Sequence, residues 1–327
     1  MKVYVTGGTG YIGKDLVKRL LEDGEEVVAM YRSEKPPYEW PGLQWSKADL
    51  NNIEAMKKGM QGCEGVYHMA GLARLWHPDK DAFFTMNVEG TRNVIAAAEQ
   101  SGVHRLVFTS SAVVFSRSIR TAITEEDPLM DPFEEDYAIT KFLAQKEIIA
   151  AAKRGMQAVI VNPPRVYGPS SFENNANALN NLVAKYLRQS FYAVPGDGHF
   201  IGNYAFINDV IDGHIRAMHN GRAGECYILG GENEDYLGFY RKLEKVTGIK
   251  RKCIHVPKWV MDTAAELSET WASLSGKEPG VTHAIVNKIY SQRALSCDKA
   301  IRELGYQITP LEEGLSQTVA YVKNKNV

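Results

Sequence analysis

Apolar residues along this chain change their period repeatedly. Lys2–Thr6 is a β-branched run that reads as a strand. Beyond a glycine cluster, Ile12, Leu16, Leu20 and Leu21 recur at helical spacing up to Gly24, which closes the helix. Short apolar runs at 27–30, 65–69, 106–109 and 159–161 predict further strands, and the stretches 53–60, 82–100 and 135–153 between them predict helices. Strands alternating with helices require a parallel sheet covered on both faces, so the fold class is α/β, doubly wound.

After Pro169 the alternation weakens. The segment 174–188 predicts a helix outside the sheet, 206–220 a return to the core layer, 226–229 a late strand, and 236–247, 258–274 and 311–322 further helices. The expected organisation is a sheet domain over 1–169 with return segments at about 205–232. A smaller, discontinuous C-terminal substrate-binding region, 170–204 and 233–327, then leans over the carboxyl edge of the sheet, where open α/β sheets bind ligands.

Composition narrows the function classes. With 44% hydrophobic and 24% charged residues in 327, the chain has an ordinary globular make-up. Lys and Arg (38) balance Asp and Glu (39), so no global field draws in nucleic acid or an anionic membrane, and the expected partner is a small molecule. No apolar run approaches the ~18 residues of a membrane span. Cys63, Cys226, Cys253 and Cys297 are dispersed without a C-x-x-C, which disfavours a metal site and a disulfide framework and fits a reducing cytoplasm. The N-terminus lacks the series of a signal peptide, which agrees with that compartment.

The segment Thr6-Gly7-Gly8-Thr9-Gly10-Tyr11-Ile12-Gly13 follows the first strand and opens the first helix. Glycines there permit a tight turn and close approach of backbone to a pyrophosphate, whose charge rests on the helix N-terminus. Gly7, Gly10, Tyr11, Ile12 and Gly13 are therefore candidate dinucleotide-binding residues, and the fold class sharpens to a Rossmann-like sheet. Where an acidic residue closing the second strand would hold the ribose of NAD, this chain has Arg32-Ser33. Arg32 is suited to a 2′-phosphate and Ser33 can add a hydroxyl, which favours NADP. The alternative is a solvated Arg32, with Glu34 serving the ribose of NAD. Asp49 and Leu50 are placed to reach the adenine edge.

Tyr-x-x-x-Lys puts a phenol and an ammonium on one helix face, where the cation can lower the phenol pKa from ~10. The pattern occurs three times, at Tyr31/Lys35, Tyr137/Lys141 and Tyr321/Lys325. The first runs into Pro36-Pro37 and the third lies at the C-terminus, whereas Tyr137/Lys141 opens a helical pattern in the α/β half. Upstream, Thr109-Ser110-Ser111 ends a predicted strand on the carboxyl side, where parallel sheets present their chemistry. The plainer role for the two serines is to cap that strand end.

Glycine cradle, hydroxyl triplet and Tyr-x-x-x-Lys in this order resemble the extended short-chain dehydrogenase/reductase superfamily over essentially the whole chain. Further matches are Val66-Tyr67-His68-Met69-Ala70-Gly71, Asn87-Val88-Glu89-Gly90-Thr91, Asn162-Pro163-Pro164-Arg165-Val166-Tyr167-Gly168-Pro169, Asn208-Asp209-Val210 and Leu229-Gly230-Gly231-Glu232-Asn233. Within it the chain looks most like the dihydroflavonol 4-reductase-like branch and hopanoid-associated sugar epimerase-like proteins, the stretch Ala73-Arg74-Leu75-Trp76 resembling the latter. The resemblance implies that Ser111 polarises the substrate oxygen, Tyr137 transfers the proton, and Lys141 holds the nicotinamide ribose and tunes Tyr137. It implies that Ala70 and Gly71 let backbone approach the cofactor, that Asn87, Pro163 and Val166 hold its ribose and carboxamide end beside Thr109, and that His68 is structural. Helices 82–100 and 135–153 match those that pair relatives as homodimers, which leaves a dimer or a monomer open.

Departures narrow the chemistry. Sugar 4,6-dehydratases carry an Asp-Glu pair where this chain has Ala112-Val113, so the acid and base of that elimination are missing. Nucleotide-sugar epimerases place a diphosphate-clamping arginine where this chain has Gly202, a loss of ~1.5–3 kcal/mol that Arg165 would have to make good. Asp209 is expected to cap a helix, and Asn177, Phe200 and Tyr204 to wall the substrate beside Arg165. The expected function is an NADP(H)-dependent carbonyl reductase or alcohol dehydrogenase on a small organic substrate, with Ser111, Tyr137 and Lys141 as its catalytic three and no metal. The alternative is an NAD(P)-dependent sugar epimerase that retains its cofactor; a dinucleotide-sensing binding protein ranks below both, because such proteins lose the Tyr-Lys pair.

Overall fold

A central sheet of seven parallel strands carries the molecule, in a computed structural model that describes residues 1–74, 76–119, 121–133, 135–170 and 177–325. Its strands are β1 (Lys2–Thr6), β2 (Glu26–Tyr31), β3 (Leu43–Lys47), β4 (Gly65–His68), β5 (Arg105–Thr109), β6 (Gln157–Asn162) and a late one, β10 (Cys226–Ile228). Three short strands lie between β6 and β10 in sequence: β7 (Arg165–Tyr167), β8 (Phe191–Pro195) and β9 (Ile201–Phe206). The order across the sheet is β10-β6-β5-β4-β1-β2-β3. It reverses between β1 and β4, and a crevice opens at such a switch point beyond the carboxyl ends of the strands.

Side chains alternate across β1, so Val3 and Val5 point to one face and Tyr4 to the other. The first face is covered by α1 (Tyr11–Glu22), through Leu16, Val17 and Leu20, and by the helix Ile207–Asn220, through Ile207 and Ile211. The second is covered by α2 (Ile53–Met60), by a helical run over 81–100 and by the helix Asp136–Lys153, through Met56, Val94, Ala144 and Ile148. Burial on both faces explains why the strands read as continuous apolar runs.

The expected helix at 82–100 is one rod in three parts: α3 (Asp81–Phe84), a π-helical turn Thr85–Glu89, and α4 (Gly90–Gln100). Widened turns of this kind are frequent at functional sites. The helix Asp136–Lys153 is α5. The segment 206–220 does return to the sheet, as the helix α7 (Ile207–Asn220), which follows α6 (Ala178–Arg188) and delivers the chain to β10 beside β6. The expected helix at 174–188 begins at Ala178 among the described residues; positions 174–176 lie outside them, as does Leu75. Asp209 does not cap α7, whose N-cap is Phe206; its carboxylate accepts the backbone N–H and the hydroxyl of Thr309 instead, at 2.7 Å each.

Around the carboxyl edge stand two smaller sheets. In one, β9 pairs in parallel with β7 and antiparallel with β11 (Glu232–Asp235); in the other, β8 pairs with β12 (Lys252–Val256). Tyr167, Val183, Tyr204, Phe206, Phe239 and Leu315 form a third apolar cluster there, drawing together β7, α6, β9, α8 (Tyr236–Thr247) and a late helix, Leu311–Asn324. Two helices escaped the sequence pattern, His283–Ile289 and Asp298–Leu304, each only seven residues long and too short to show a period. No helix among the described residues is long and apolar enough to cross a membrane.

Candidate active site

At the switch point the backbones of two strand ends touch. Gly7 has φ +71°, and a Cβ there would stand 2.6 Å from the amide nitrogen of Ala70; a Cβ on Gly13 would stand 2.1 Å from the carbonyl oxygen of Gly7. Gly10 closes the turn by donating its N–H to that same carbonyl at 2.9 Å, and as the N-cap of α1 it offers no side chain to the free amides of the first turn. A helix N-terminus left uncapped beside a side-chain-free loop is what a pyrophosphate requires, so the cradle fits a dinucleotide.

A buried polar relay fixes the opposite lip. Thr6 Oγ1 accepts the N–H groups of Met69 and Ala70, each at 3.1 Å. Thr91 donates its hydroxyl to the Asn87 carbonyl at 2.7 Å, so it accepts from Nε2–H of His68 at 2.9 Å, which leaves Nδ1 to accept from Thr6 at 2.8 Å. Every direction requires a neutral ring, and burial, with Lys141 nearby, pushes the His68 pKa down to about 3. The histidine is structural. Asn87 lies in the π-turn and does not line the cleft: its Oδ1 accepts from Leu72 N–H at 2.7 Å, and its Nδ2 donates to the Leu72 carbonyl and to Thr140 Oγ1. It thus ties the segment after β4 to α5. Sequence reading missed Thr6, Thr91 and Thr140; the four-residue step from Asn87 to Thr91 on a helix was the available signal.

Three hydroxyls end β5, and the structure separates them. Thr109 hydrogen-bonds to Nε2 of His214 at 2.9 Å, and Ser110 accepts from Gln145 at 2.7 Å. Ser111 caps the short 3₁₀ turn Ala112–Val114 yet also faces the phenol of Tyr137, both residues being half-buried in the cleft wall. Burial pushes the Tyr137 phenol up, the Ser111 hydrogen bond pulls it down, and Glu135 adds to the rise. Lys141 is buried, donates to the Thr109 carbonyl at 2.8 Å and stands over the Phe108 ring; burial pushes its pKa down to about 8.

A cleft of about 1060 Å³ joins these parts. Arg32, Ser33, Asp49 and Leu50 line one end, Gly7 and Thr9 to Gly13 its floor, and Ala70, Gly71, Ser111, Tyr137, Lys141, Pro163 and Val166 the other. Arg32 and Ser33 are exposed just past β2, beside exposed Glu34. Tyr11 lines the floor and donates its hydroxyl to the Gly168 carbonyl at 2.9 Å, joining α1 to the loop after β7. Asn177, Phe200, Tyr204 and Arg165 do not line the cleft: Asn177 caps α6, Phe200 packs on Tyr290, buried Tyr204 stacks on Phe239, and Arg165 lies over the rings of Tyr204 and Tyr236. No group of three or more His, Cys, Asp or Glu among the described residues could hold a metal ion.

Residues 3–230 match the NAD dependent epimerase/dehydratase family. The chain belongs to that family. The putative dihydroflavonol 4-reductase of Synechocystis sp. is 32% identical over 98% of this chain and 94% of its own. The 2-alkyl-3-oxoalkanoate reductase of Stenotrophomonas maltophilia is 29% identical over 98% and 99%. A crystal structure of UDP-glucose 4-epimerase from Thermotoga maritima superposes with a TM-score of 0.80 over all of both chains at 21% identity, a likeness of fold. This family member is an enzyme of the extended short-chain dehydrogenase/reductase type, with reductases and epimerases among the proteins it resembles.

Proposed function

We propose that the protein is an NADP(H)-dependent carbonyl reductase or alcohol dehydrogenase acting on a small organic substrate. The observation that carries the reading is the meeting of Ser111 and Tyr137, with Lys141 behind them, at one end of a dinucleotide-sized cleft whose other end exposes Arg32. When bound, the nicotinamide supplies or accepts hydride. Ser111 donates a hydrogen bond to the substrate oxygen and orients it against Tyr137, which delivers the proton in reduction and removes it in oxidation. Lys141 holds the adjoining ribose. Its Thr109 contact and the Asn87 tether keep α5 in register with β5 and with the segment after β4.

Arg32 makes no ion pair among the described residues, which leaves its guanidinium available to a 2′-phosphate. The four cysteines are free thiols, which suits a reducing cytoplasm. Pairing of α4 and α5 between two copies would make a homodimer, a point for light scattering.

Tyr137→Phe should bind NADPH as the wild type does and lose nearly all hydride transfer to any carbonyl the wild type reduces. Retention of most of the rate sinks the assignment. Nicotinamide fluorescence titration should show NADPH bound more tightly than NADH, with the preference shrinking in Arg32→Ala; equal affinities in the wild type would show that Arg32 is only a surface charge.

The second reading, a sugar epimerase that retains its cofactor, has one observation in its favour. A Cβ on Gly202 would stand 2.4 Å from Nη1 of Arg165, so a guanidinium from β7 fills the space over the glycine that replaces the epimerase arginine. Inversion of a sugar carbon without net change in cofactor would install that reading.

A further inference from the structure

Helix α9 (Lys258–Ser275) turns its apolar side outward. It packs on the helix His283–Ile289, and only Ala265 and Ala272 of its own residues are buried. Trp259, Leu267, Trp271 and Leu274 are 70%, 67%, 65% and 79% exposed. At 3.6 residues per turn these four, with Val260, Thr263 and Thr270, fall in one sector of about 120°, and no charged residue falls in it. Thr263 donates its hydroxyl back to the Trp259 carbonyl at 2.9 Å, so it adds little polarity to the stripe. The acids on its flank are engaged: Asp262 with Lys258 at 2.7 Å, Glu269 with His283 at 2.9 Å, and Glu266 at 3.8 Å from the same imidazole. An uncharged apolar stripe along five turns of an exposed helix marks an interaction surface. No residue of α9 lines the main cleft or the smaller cavity between Phe115 and Lys288, so the stripe is outward surface and not the wall of a pocket.

The strand that leads into α9 carries the second half of the surface. Tyr192 of β8 and Cys253 of β12 pack on the third apolar cluster. Successive side chains of a strand point to opposite faces, so Phe191 and Lys252, which pair in register, and Ile254 face away from that cluster. Phe191 and Ile254 are exposed accordingly.

Charge is segregated here although the whole chain is nearly neutral. Over 183–195 and 248–261 the chain carries Lys185, Arg188, Lys250, Arg251, Lys252 and Lys258, and no Asp or Glu. Arg251 donates to the carbonyls of Tyr186 and Leu187, at 3.1 and 2.9 Å, which ties the two basic segments together at the end of α6. Lys185, Lys250 and Lys252 are exposed and make no ion pair among the described residues. Glu244 of α8 is felt by Tyr186 and Tyr192, on the core side of the two-stranded sheet.

We propose that the outward face of β8 and β12, together with the stripe of α9, docks on an anionic lipid surface. Lys185, Lys250 and Lys252 meet headgroup phosphates, and Trp259, Leu267 and Trp271 enter the acyl boundary. Charge complementarity selects this occupant: lysines beside an uncharged tryptophan and leucine face are what a layer of phosphates over hydrocarbon accepts. Tryptophan settles at that boundary because its ring is apolar and its N–H is wet. The helix under α9 carries Lys288, 4.0 Å from Glu135, the N-cap of the helix that bears Tyr137. Docking therefore sets the lipid surface one helix away from the reacting groups, and it holds whichever hydride chemistry they perform.

Flotation of the full-length protein with vesicles of phosphatidylcholine, and of phosphatidylcholine mixed equally with phosphatidylglycerol, tests the proposal. The protein should float with the anionic vesicles in preference to the neutral ones, and about 0.5 M salt should release much of it. Lys250→Glu with Lys252→Glu, and separately Trp259→Ser with Trp271→Ser, should each lower the partition coefficient at least about tenfold. Both pairs should keep the wild-type NADPH affinity and a melting temperature within a few degrees, as exposed side chains allow. Lipids brominated in the acyl chain should quench the tryptophan emission of the wild type more than that of the double serine variant. Absence of flotation, flotation indifferent to lipid charge, or flotation that survives both pairs of substitutions overturns the proposal. A dimer in light scattering that the serine substitutions dissolve, without flotation, gives the stripe to a second copy and overturns it as well.

Discussion

Gly71 lies so close beneath Asn87 that a Cβ at position 71 would stand 2.7 Å from Oδ1 of Asn87 and 3.3 Å from Nζ of Lys141. The glycine is therefore the spacer between the tether of the β4 segment and the cation of α5. Gly71→Ala must push both side chains aside, and Asn87, held by three hydrogen bonds, has little room to move. We expect the variant to fold, with NADPH affinity lowered by about tenfold or more, equivalent to ~1.4 kcal/mol. Fluorescence titration checks this; an unchanged dissociation constant would show that Lys141 tolerates the shift.

Burial makes the charge of Lys141 a cost to stability. Its ammonium deprotonates near pH 8 in the folded protein against the usual 10.5, so between these values the unfolded chain holds one more proton and stability rises with pH. Below pH 8 the buried charge costs its full amount. Lys141→Met removes it at the expense of one hydrogen bond to Thr109. At pH 7 the variant should be more stable than the wild type by about 1–3 kcal/mol, and inactive. The gap should close as pH approaches 10. Urea titrations at pH 7 and 9.5 decide the matter, and a variant less stable at pH 7 refutes it.

Two neutral histidines make the fold acid-sensitive. Burial pushes His68 down to about 3 and His214 down to about 4, from the usual 6.5. As pH falls from 6.5 towards 4, the unfolded chain takes up two protons that the folded chain refuses, and stability drops. His214→Asn should lower the number of protons linked to unfolding between pH 6.5 and 4.5 by up to one. An unaltered slope in denaturation midpoint against pH would mean that His214 already titrates in the folded state.

Thr91 links His68 to the Asn87 carbonyl in the interior. Thr91→Val keeps the shape but leaves Nε2–H of His68 without its acceptor, at a cost of about 1–3 kcal/mol. Thermal melting should show a fall of several degrees with the mean structure retained by circular dichroism. Stability equal to wild type would mean that the relay is dispensable.

How far the sequence could be read depends on how local each cause is. The strands β1, β2, β4, β5 and β6 and the helices α1, α2 and α5 were legible because burial on both faces of a sheet imposes apolar runs and helical periods within one segment. The cradle was legible too, since Gly7, Gly10 and Gly13 answer to a turn and a helix start that adjoin in sequence. Short strands such as β7, β8 and β11 show no period of their own and exist only by pairing with segments 12 or more positions away.

At the site the division falls differently. Order and context along the chain singled out Tyr137 and Lys141, whereas Ser111 came from the family resemblance, because nothing in the residues themselves separates it from the two adjacent hydroxyls. Packing chose: His214 from α7 claims Thr109 and Gln145 from α5 claims Ser110, which leaves Ser111 turned to Tyr137. Nor could sequence distinguish a cleft wall from a core, and so Asn177, Phe200 and Tyr204 went to capping and stacking. Arg165 and Lys288 lie 123 positions apart, and only the fold brings their like charges within reach of each other. Local pattern determines which residues can carry chemistry; the tertiary structure decides which of them meet, because electrostatic and hydrogen-bond energies depend on distance in space and not along the chain.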